Sequence, residues 1–145
     1  MKKSVTPPAP QSILLVDDNK HGLVARKAVL EQAGYLVTAC LDPQEALNQF
    51  HTQGFDLVVT DYRMPNMNGA EFIAKLRETT PKQLVVLVSG MVEVLGLDEK
   101  NTGANIVIAK TSTEVNQLIR AANKLLAPEK KPVRSLLRKN VAKSC

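Results

Sequence analysis

Residues 55–73 read FDLVVTDYRMPNMNGAEFI and contain one complete β/α unit. The run Phe55–Thr60 is short, apolar and rich in β-branched residues, which predicts a buried strand. The segment Ala70–Glu78 has the apolar spacing of a helix. Asp61 comes directly after the strand, so we expect a carboxylate at the point where the strand ends.

The same alternation of strand and helix extends in both directions along the chain. The predicted strands are Ile13–Val16, Tyr35–Ala39, Phe55–Thr60, Leu84–Ser89 and Asn105–Ala109. The predicted helices are Lys20–Ala33, Pro43–His51, Ala70–Glu78, a weakly helical segment near Val92–Lys100, and Thr113–Leu126. Near-continuous apolar strands indicate a sheet that helices cover on both faces, and the alternation indicates parallel strands with right-handed crossovers. We therefore predict an α/β fold, a doubly wound, flavodoxin-like (βα)5 domain whose five parallel strands have the order 2-1-3-4-5.

The composition is typical of one globular domain with short flanking segments. The chain has 145 residues, of which 44% are hydrophobic and 23% are charged. We predict a disordered, proline-rich leader at 1–11, a folded domain at 12–127 and a basic tail at 128–145. The net charge of +5 comes from the tail, because residues 1–127 hold 13 basic and 13 acidic residues. The charge therefore says nothing about ligands of the folded domain.

The sequence lacks the features of transmembrane and secreted proteins. Its apolar runs are far shorter than the roughly 20 residues that span a bilayer, and its first residues lack the apolar core of a signal peptide. Cys40 and Cys145 are too few for a disulfide framework or a zinc site, and we interpret Cys40 as a small buried hydrophobic residue. We expect a cytoplasmic protein.

Polar side chains stand at the ends of four of the predicted strands. Asp17 and Asp18 follow the first strand and Asp61 follows the third, whereas Ser89 ends the fourth and Lys110 follows the fifth. Ligands bind at the carboxyl ends of parallel strands, so we expect three carboxylates to meet there beside a hydroxyl and an ammonium group. Three close carboxylates repel one another unless a cation compensates, and oxygen ligands of this kind suit Mg²⁺.

Each of these residues has a simpler interpretation when it is taken singly. Asp17 or Asp18 could cap the first helix. Ser89 could serve only as a turn hydroxyl, and Lys110 only as a solvated loop charge. The joint pattern favours a site, because the residues fall at the ends of different strands, in the places where they could meet.

Four segments carry a stronger signal together than separately. They are ILLVDDN at 13–19, FDLVVTDYRMPNMNGAEFI at 55–73, VLVSG at 86–90, and Lys110 after an apolar strand. With these motifs the chain, from about Ile13 to Leu126, resembles the receiver domain of bacterial two-component response regulators. The most specific part is the segment with Asp61, Met64, Pro65, Asn68 and Gly69. We expect the stand-alone, single-domain type, since residues 127–145 are too few for a separate output domain.

The resemblance implies a phosphorylation switch. Asp61 would accept a phosphoryl group from a histidine kinase or a phosphotransfer protein. Asp17 and Asp18 would hold Mg²⁺, with Asp61 and the backbone carbonyl of Arg63 as further ligands. The implied protein signals through protein–protein contacts and is not an enzyme beyond self-phosphorylation from small donors and autodephosphorylation.

The resemblance also assigns Lys110 and Ser89 to contacts with the phosphoryl oxygens, but it is incomplete around them. Val107 stands where the family usually has an aromatic residue that follows the movement of the hydroxyl. Thr111 stands where the family usually has a proline after a cis bond, so Lys110–Thr111 is either trans with a rearranged loop or strained cis. Gly90 replaces a common alanine.

Other functions compete with this one. A receiver-fold adaptor that signals without regulated phosphorylation is favoured by the missing aromatic residue at position 107. A phosphohydrolase is disfavoured, because such enzymes generally need a second aspartate where Arg63 stands. A nucleotide-binding domain is disfavoured, because the first strand leads into residues 17–20, DDNK, and not into a glycine-rich loop.

The basic tail adds a further expectation about partners. Its apolar residues recur at helical spacing, namely Val133, Leu136, Leu137 and Val141. Such a segment could dock an acidic surface of a downstream protein or contact an anionic membrane surface weakly, although a solvated extension of the last helix is the simpler interpretation. Nucleic acid is disfavoured, because the body of the chain is neutral and the tail has no aromatic residue.

Overall fold

The computed structural model describes residues 10–126, which form a five-stranded sheet with helices on both faces. The strands are β1 Ser12–Val16, β2 Leu36–Cys40, β3 Leu57–Thr60, β4 Leu84–Ser89 and β5 Ile106–Ala109. The helices are α1 Lys20–Gln32, α2 Pro43–Gln53, α3 Gly69–Thr79, α4 Val92–Leu95, α5 Glu99–Thr102 and α6 Glu114–Leu126. Apart from the segment between β4 and β5, each element begins and ends within two residues of its predicted bounds.

All the strand pairs are parallel, and their order is β2-β1-β3-β4-β5. The predicted strand order and fold class are therefore confirmed. The register pairs Val16 of β1 with Thr60 of β3, so both strands end side by side. One residue further on, the backbone N–H of Asp61 donates to the carbonyl oxygen of Val16 at 3.1 Å. The register thus places the residues that follow β1 next to those that follow β3.

Side chains from each strand enter two separate cores, one on each face of the sheet. On one face Ile13 belongs to a core with Leu30 of α1 and Leu118 of α6. On the other face Leu14 belongs to a core with Phe72 of α3. Because both faces are buried, the strands consist of almost uninterrupted apolar residues.

Side-chain caps fix the first residues of several helices. Asn19 accepts a hydrogen bond from the first turn of α1, and Asp42 does the same for α2, which begins with Pro43. Asn68 and Glu71 form a capping box at the start of α3. These caps hold the helices at the carboxyl ends of the strands, where the polar side chains meet.

Between β4 and β5 the chain forms two one-turn helices in place of one helix. The first, α4, ends at Leu95, and the capping residue after it, Gly96, has a left-handed backbone with φ of 64°. The side chain of Leu97 is buried, and Asp98 then caps the start of α5. Glycine disfavours a helix interior and aspartate favours a helix start, so the predicted weak helix near Val92–Lys100 is interrupted at 96–98.

Two predicted segments lie largely outside the described residues. These are the disordered leader at 1–11, of which only residues 10 and 11 are described, and the basic tail at 128–145. Within residues 10–126, no helix is long and apolar enough to cross a membrane.

Candidate functional site

The structure brings the predicted site residues together at the carboxyl edge of the sheet. Carboxylate oxygens of Asp17, Asp18 and Asp61 all lie within 4.8 Å of one another. We call these three carboxylates the acidic cluster. An open crevice of about 490 Å³ lies beside it; its lining residues are Asp18, Asn19, Asp61, Arg63, Met64, Pro65, Ser89, Gly90, Met91 and Lys110. The crevice leaves room for a small anionic group against the cluster.

Asp17 is the buried member of the acidic cluster. Its Oδ1 accepts a hydrogen bond from the backbone N–H of Asn19 at 2.9 Å. Its Oδ2 accepts from Nη1 of Arg26 at 2.7 Å and from Nζ of Lys110 at 3.4 Å. A buried carboxylate is stable only when it is paired in this way.

Asp18 differs from Asp17 because its side chain is exposed. The residue that caps α1 is Asn19, so neither of the two aspartates serves as the N-cap. Among residues 10–126, none donates a hydrogen bond to the Asp18 carboxylate. Its oxygens are available to a ligand in the crevice.

Asp61 and Lys110 form a direct ion pair in the crevice. Nζ of Lys110 lies 2.9 Å from Oδ2 of Asp61, and Oδ1 of Asp61 accepts a hydrogen bond from the backbone N–H of Tyr62 at 2.7 Å. The Lys110 side chain is 25% exposed, and it contacts both Asp61 and Asp17. One ammonium group therefore offsets part of the charge of two carboxylates.

Ser89 is fully buried at the end of β4, yet it is one of the residues that line the crevice. Oγ accepts a hydrogen bond from the backbone N–H of Met91 at 3.0 Å, which fixes the position of the oxygen. Among residues 10–126 the hydroxyl has no acceptor, so its proton can be donated to a bound group.

The donor set of the acidic cluster fits Mg²⁺. All of its ligand atoms are hard carboxylate oxygens, and the backbone carbonyl of Arg63 belongs to a residue that lines the same crevice. The three carboxylates lie within 4.8 Å of one another, and the positive charges of Lys110 and Arg26 offset part of their negative charge. A divalent cation would remove the remaining repulsion.

The departures from the expected motifs have a clear outcome in the structure. No peptide bond between residues 10 and 126 is cis, so the bond between Lys110 and Thr111 is trans. Val107 is half-buried against the core below α4, and its backbone N–H donates to Oε2 of Glu99 at 3.1 Å. Glu99 of α5 thus bonds to β5, which lies at the edge of the sheet.

Position 69 needs a glycine because the backbone of Asp61 and Tyr62 passes close to it. A Cβ atom at this position would lie 2.5 Å from the carbonyl oxygen of Asp61 and 2.9 Å from Cα of Tyr62. Both of those atoms belong to the backbone, so they cannot move aside without a shift of the main chain. The turn that connects Asp61 to α3 therefore depends on a residue without a side chain.

We expect Gly69→Ala to lower the free energy of unfolding by about 1–3 kcal/mol, because the added methyl group overpacks this turn. Urea unfolding followed by circular dichroism measures the change. Gly90→Ala is the matched control, since a Cβ there meets no atom within 4 Å and should be nearly neutral. Equal stabilities of the two variants would show that the close approach at Gly69 does not matter.

Arg26 is the residue of this site that sequence reasoning missed. Its guanidinium is buried, bonded to Asp17 and to Glu114 of α6. Its position in the sequence could have indicated that it is buried. Arg26 lies three residues after Leu23 and four before Leu30, the other buried residues of α1, and this spacing places all three on one face of the helix. A charged residue on an apolar helix stripe needs a buried partner, and Asp17 is one.

Cys40, at the end of β2, is buried in the core next to α2. Burial raises the pKa of its thiol to about 11, with further contributions from the negative charges of Glu45 and Asp42. The thiol therefore stays protonated at neutral pH and is a poor nucleophile. This agrees with its interpretation as a small hydrophobic residue.

Comparison with known sequences points to one family. The family described as the response regulator receiver domain matches residues 13–123. The sensor protein EvgS of Escherichia coli (strain K12) is 39% identical over 77 residues, which cover 53% of this chain and 6% of EvgS. The chain therefore corresponds to a small part of that much longer relative.

Solved structures share the fold over nearly their whole length. One of them is the response regulator protein TrrA from Thermotoga maritima in complex with Mg²⁺-BeF. It superposes on this chain with a TM-score of 0.72 at 26% identity, and the match covers 80% of this chain and 99% of the TrrA chain. The structure of the histidine kinase ThkA in complex with TrrA also matches, with a TM-score of 0.72 at 26% identity. The match covers 81% of this chain and 99% of the matched chain.

Proposed function

Because this chain belongs to the response regulator receiver domain family, we propose that it is a phosphoacceptor signalling protein in which Asp61 receives the phosphoryl group. The observation that carries the proposal is the position of Asp61. Its carboxylate lies beside Asp17 and Asp18, contacts Lys110 at 2.9 Å and borders an open crevice. A nucleophilic carboxylate, a cation site and an ammonium group are the parts that phosphoryl transfer needs.

The proposed reaction moves one phosphoryl group onto Asp61. A carboxylate oxygen of Asp61 forms a bond to phosphorus, while the bond from phosphorus to the donor's nitrogen or oxygen breaks and its electron pair stays on the donor. The product is an acyl phosphate. The hydrogen bond from the Tyr62 backbone holds the carboxylate in one orientation, which favours the attack.

Mg²⁺ would be held by Asp17, Asp18, Asp61 and the backbone carbonyl of Arg63. When bound, the cation would neutralise charge on the phosphoryl oxygens and on the acidic cluster. Asp18 is suited to this role because its carboxylate is exposed to the crevice and accepts no hydrogen bond from the described residues. Asp17 is suited because hydrogen bonds on both of its oxygens fix its orientation.

Lys110 and Ser89 would bind the phosphoryl oxygens. Lys110 already lies on the carboxylate that would carry the group, so its ammonium needs only a small shift to contact a phosphoryl oxygen. The Ser89 oxygen is fixed, and its hydroxyl proton has no acceptor in the described part of the chain, so Ser89 would donate to a second oxygen. Neither role needs the basic tail or the leader.

The proposed donor is a histidine kinase or a phosphotransfer protein, and the proposed output is a contact with a downstream protein in the cytoplasm. The complex of TrrA with a histidine kinase supports the first partner by analogy. An adaptor that does not depend on phosphorylation is the second candidate function. One observation favours it, namely that the half-buried Val107 lacks the ring that the family usually moves.

Beryllofluoride, a stable mimic of a phosphoryl group, separates the two functions. With Mg²⁺ present, we expect it to shift the backbone NMR signals of Asp61, Ser89 and Lys110, and we expect excess EDTA to reverse the shifts. Fluoride and Mg²⁺ without beryllium serve as the control. If beryllofluoride leaves these three signals unmoved, the phosphoacceptor proposal fails and the adaptor becomes the better account.

A further inference from the structure

Arg26 of α1 carries a buried guanidinium group next to the acidic cluster. Its side chain is only 7% exposed, with Nη1 lying 2.7 Å from Oδ2 of Asp17 and Nε lying 2.9 Å from Oε2 of Glu114. A buried cation is stable only when anions pair with it, and these two carboxylates provide the pairing.

The bridge through Arg26 joins three separate elements on one face of the sheet. Asp17 follows β1, Arg26 belongs to α1, and Glu114 is the first residue of α6. Each carboxylate bonds to a different N–H group of the rigid guanidinium fork. A lysine ammonium, as a point charge on a flexible stem, does not reproduce this two-sided geometry.

The first turn of α1 leaves space for the guanidinium. Gly22 lies one turn before Arg26, and a Cβ at Gly22 would come within 3.0 Å of Nη1 of Arg26. A methyl group at position 22 would therefore push the guanidinium aside by a few tenths of an ångström.

The bridge continues to the proposed phosphoacceptor. Oδ2 of Asp17 also accepts from Lys110, which contacts Asp61. An unbroken series of polar contacts therefore runs from Asp61 through Lys110, Asp17 and Arg26 to Glu114. A cation and a phosphoryl group at the acidic cluster would change the charge that Lys110 and Arg26 balance, and with it the division of Arg26's bonding between its two carboxylates.

We propose that Arg26 is a positioning residue of this site, which orients Asp17 and conveys occupation of the acidic cluster to the first turn of α6 through Glu114. The inference rests on the proposed function, since it needs a cation and a phosphoryl group to bind there. Coupling of this kind is reciprocal, so a partner that binds the first turn of α6 also changes the occupation of the cluster. This route to a surface does not involve Val107.

Glu114→Ala tests the bridge without touching the acidic cluster. Beryllofluoride with Mg²⁺ is added to the full chain, and the NMR shifts of residues 114–118 are compared with those of Asp61 and Ser89. In the wild type we expect both groups of signals to move. We call the shift of the signals of residues 114–118 the α6 response. In Glu114→Ala we expect the α6 response to be lost, whereas the signals of Asp61 and Ser89 still move.

Glu99→Ala is the matched control, because Glu99 also lies in the first turn of a helix and bonds to β5, but it makes no contact with Arg26. It should keep the full α6 response. Arg26→Lys keeps the charge but not the fork, and it should lose the α6 response as well.

A full α6 response in Glu114→Ala or in Arg26→Lys would overturn the inference, as would an equal loss in Glu99→Ala. If the wild-type signals of Asp61 and Ser89 do not move, the proposed function fails and the inference fails with it. Unmoved signals of Asp61 and Ser89 in the wild type therefore indicate failure of the proposed function. A full α6 response in the variants indicates failure of the inference alone.

Discussion

Replacement of Asp61 by asparagine is expected to abolish acyl phosphate formation. The amide has nearly the shape of the carboxylate and can still accept the hydrogen bond from Tyr62, but it has no anionic oxygen to attack phosphorus. Incubation with acetyl phosphate and Mg²⁺, followed by phosphate-affinity electrophoresis, should show a shifted band for the wild type and none for Asp61→Asn.

Asp56→Asn is the control for this substitution. Asp56 lies just before β3, at the opposite end of the same strand, and its carboxylate accepts a hydrogen bond from the backbone of Ser12. An asparagine oxygen can accept the same bond, so this variant should be phosphorylated like the wild type. A shifted band that persists in Asp61→Asn would place the phosphoryl group on another residue.

Lys110→Ala is expected to slow phosphorylation by about 100-fold, because one preorganised cation is lost where charge develops on the transferred group. The same substitution should not weaken the binding of Mg²⁺. Lys110 contacts Asp17 and Asp61, so its removal leaves more negative charge for the metal, and Mg²⁺ affinity should be retained or raised. Calorimetry gives the Mg²⁺ affinity, and the time course with acetyl phosphate gives the rate.

Lys75→Ala is the control for the loss of a positive charge. Lys75 is an exposed residue of α3 and lies in none of the contacts around the acidic cluster. Both its rate and its Mg²⁺ affinity should match those of the wild type. A large fall in Mg²⁺ affinity in Lys110→Ala, with little change in rate, would mean that Lys110 mainly supports the metal site.

The fold and the meeting of the polar residues were predictable from the sequence, because both depend on a short list of physical rules. Apolar strands that alternate with helices form a parallel sheet, and residues that follow those strands lie at one edge. The strand order fixes Asp17 and Asp61 as neighbours, since β1 pairs with β3. For this reason the site could be located without any knowledge of side-chain contacts.

Other features depend on contacts that periodicity does not reveal. The pairing of Arg26 with Glu114 joins residues 88 positions apart, and only the packing of α1 against α6 brings them together. The break at Gly96 depends on a local competition between a helix interior and the cap that Asp98 provides. The trans bond after Lys110 was one of two alternatives that the sequence left open.

The most direct measurement of the central claim is the mass of the intact protein after incubation with acetyl phosphate and Mg²⁺, followed by peptide mapping. We predict an adduct of one phosphoryl group, absent when EDTA is added, labile to hydroxylamine as an acyl phosphate is, and located in the peptide that contains Asp61. No adduct, or an adduct on any other residue, would contradict the assignment of this chain as a phosphoacceptor at Asp61.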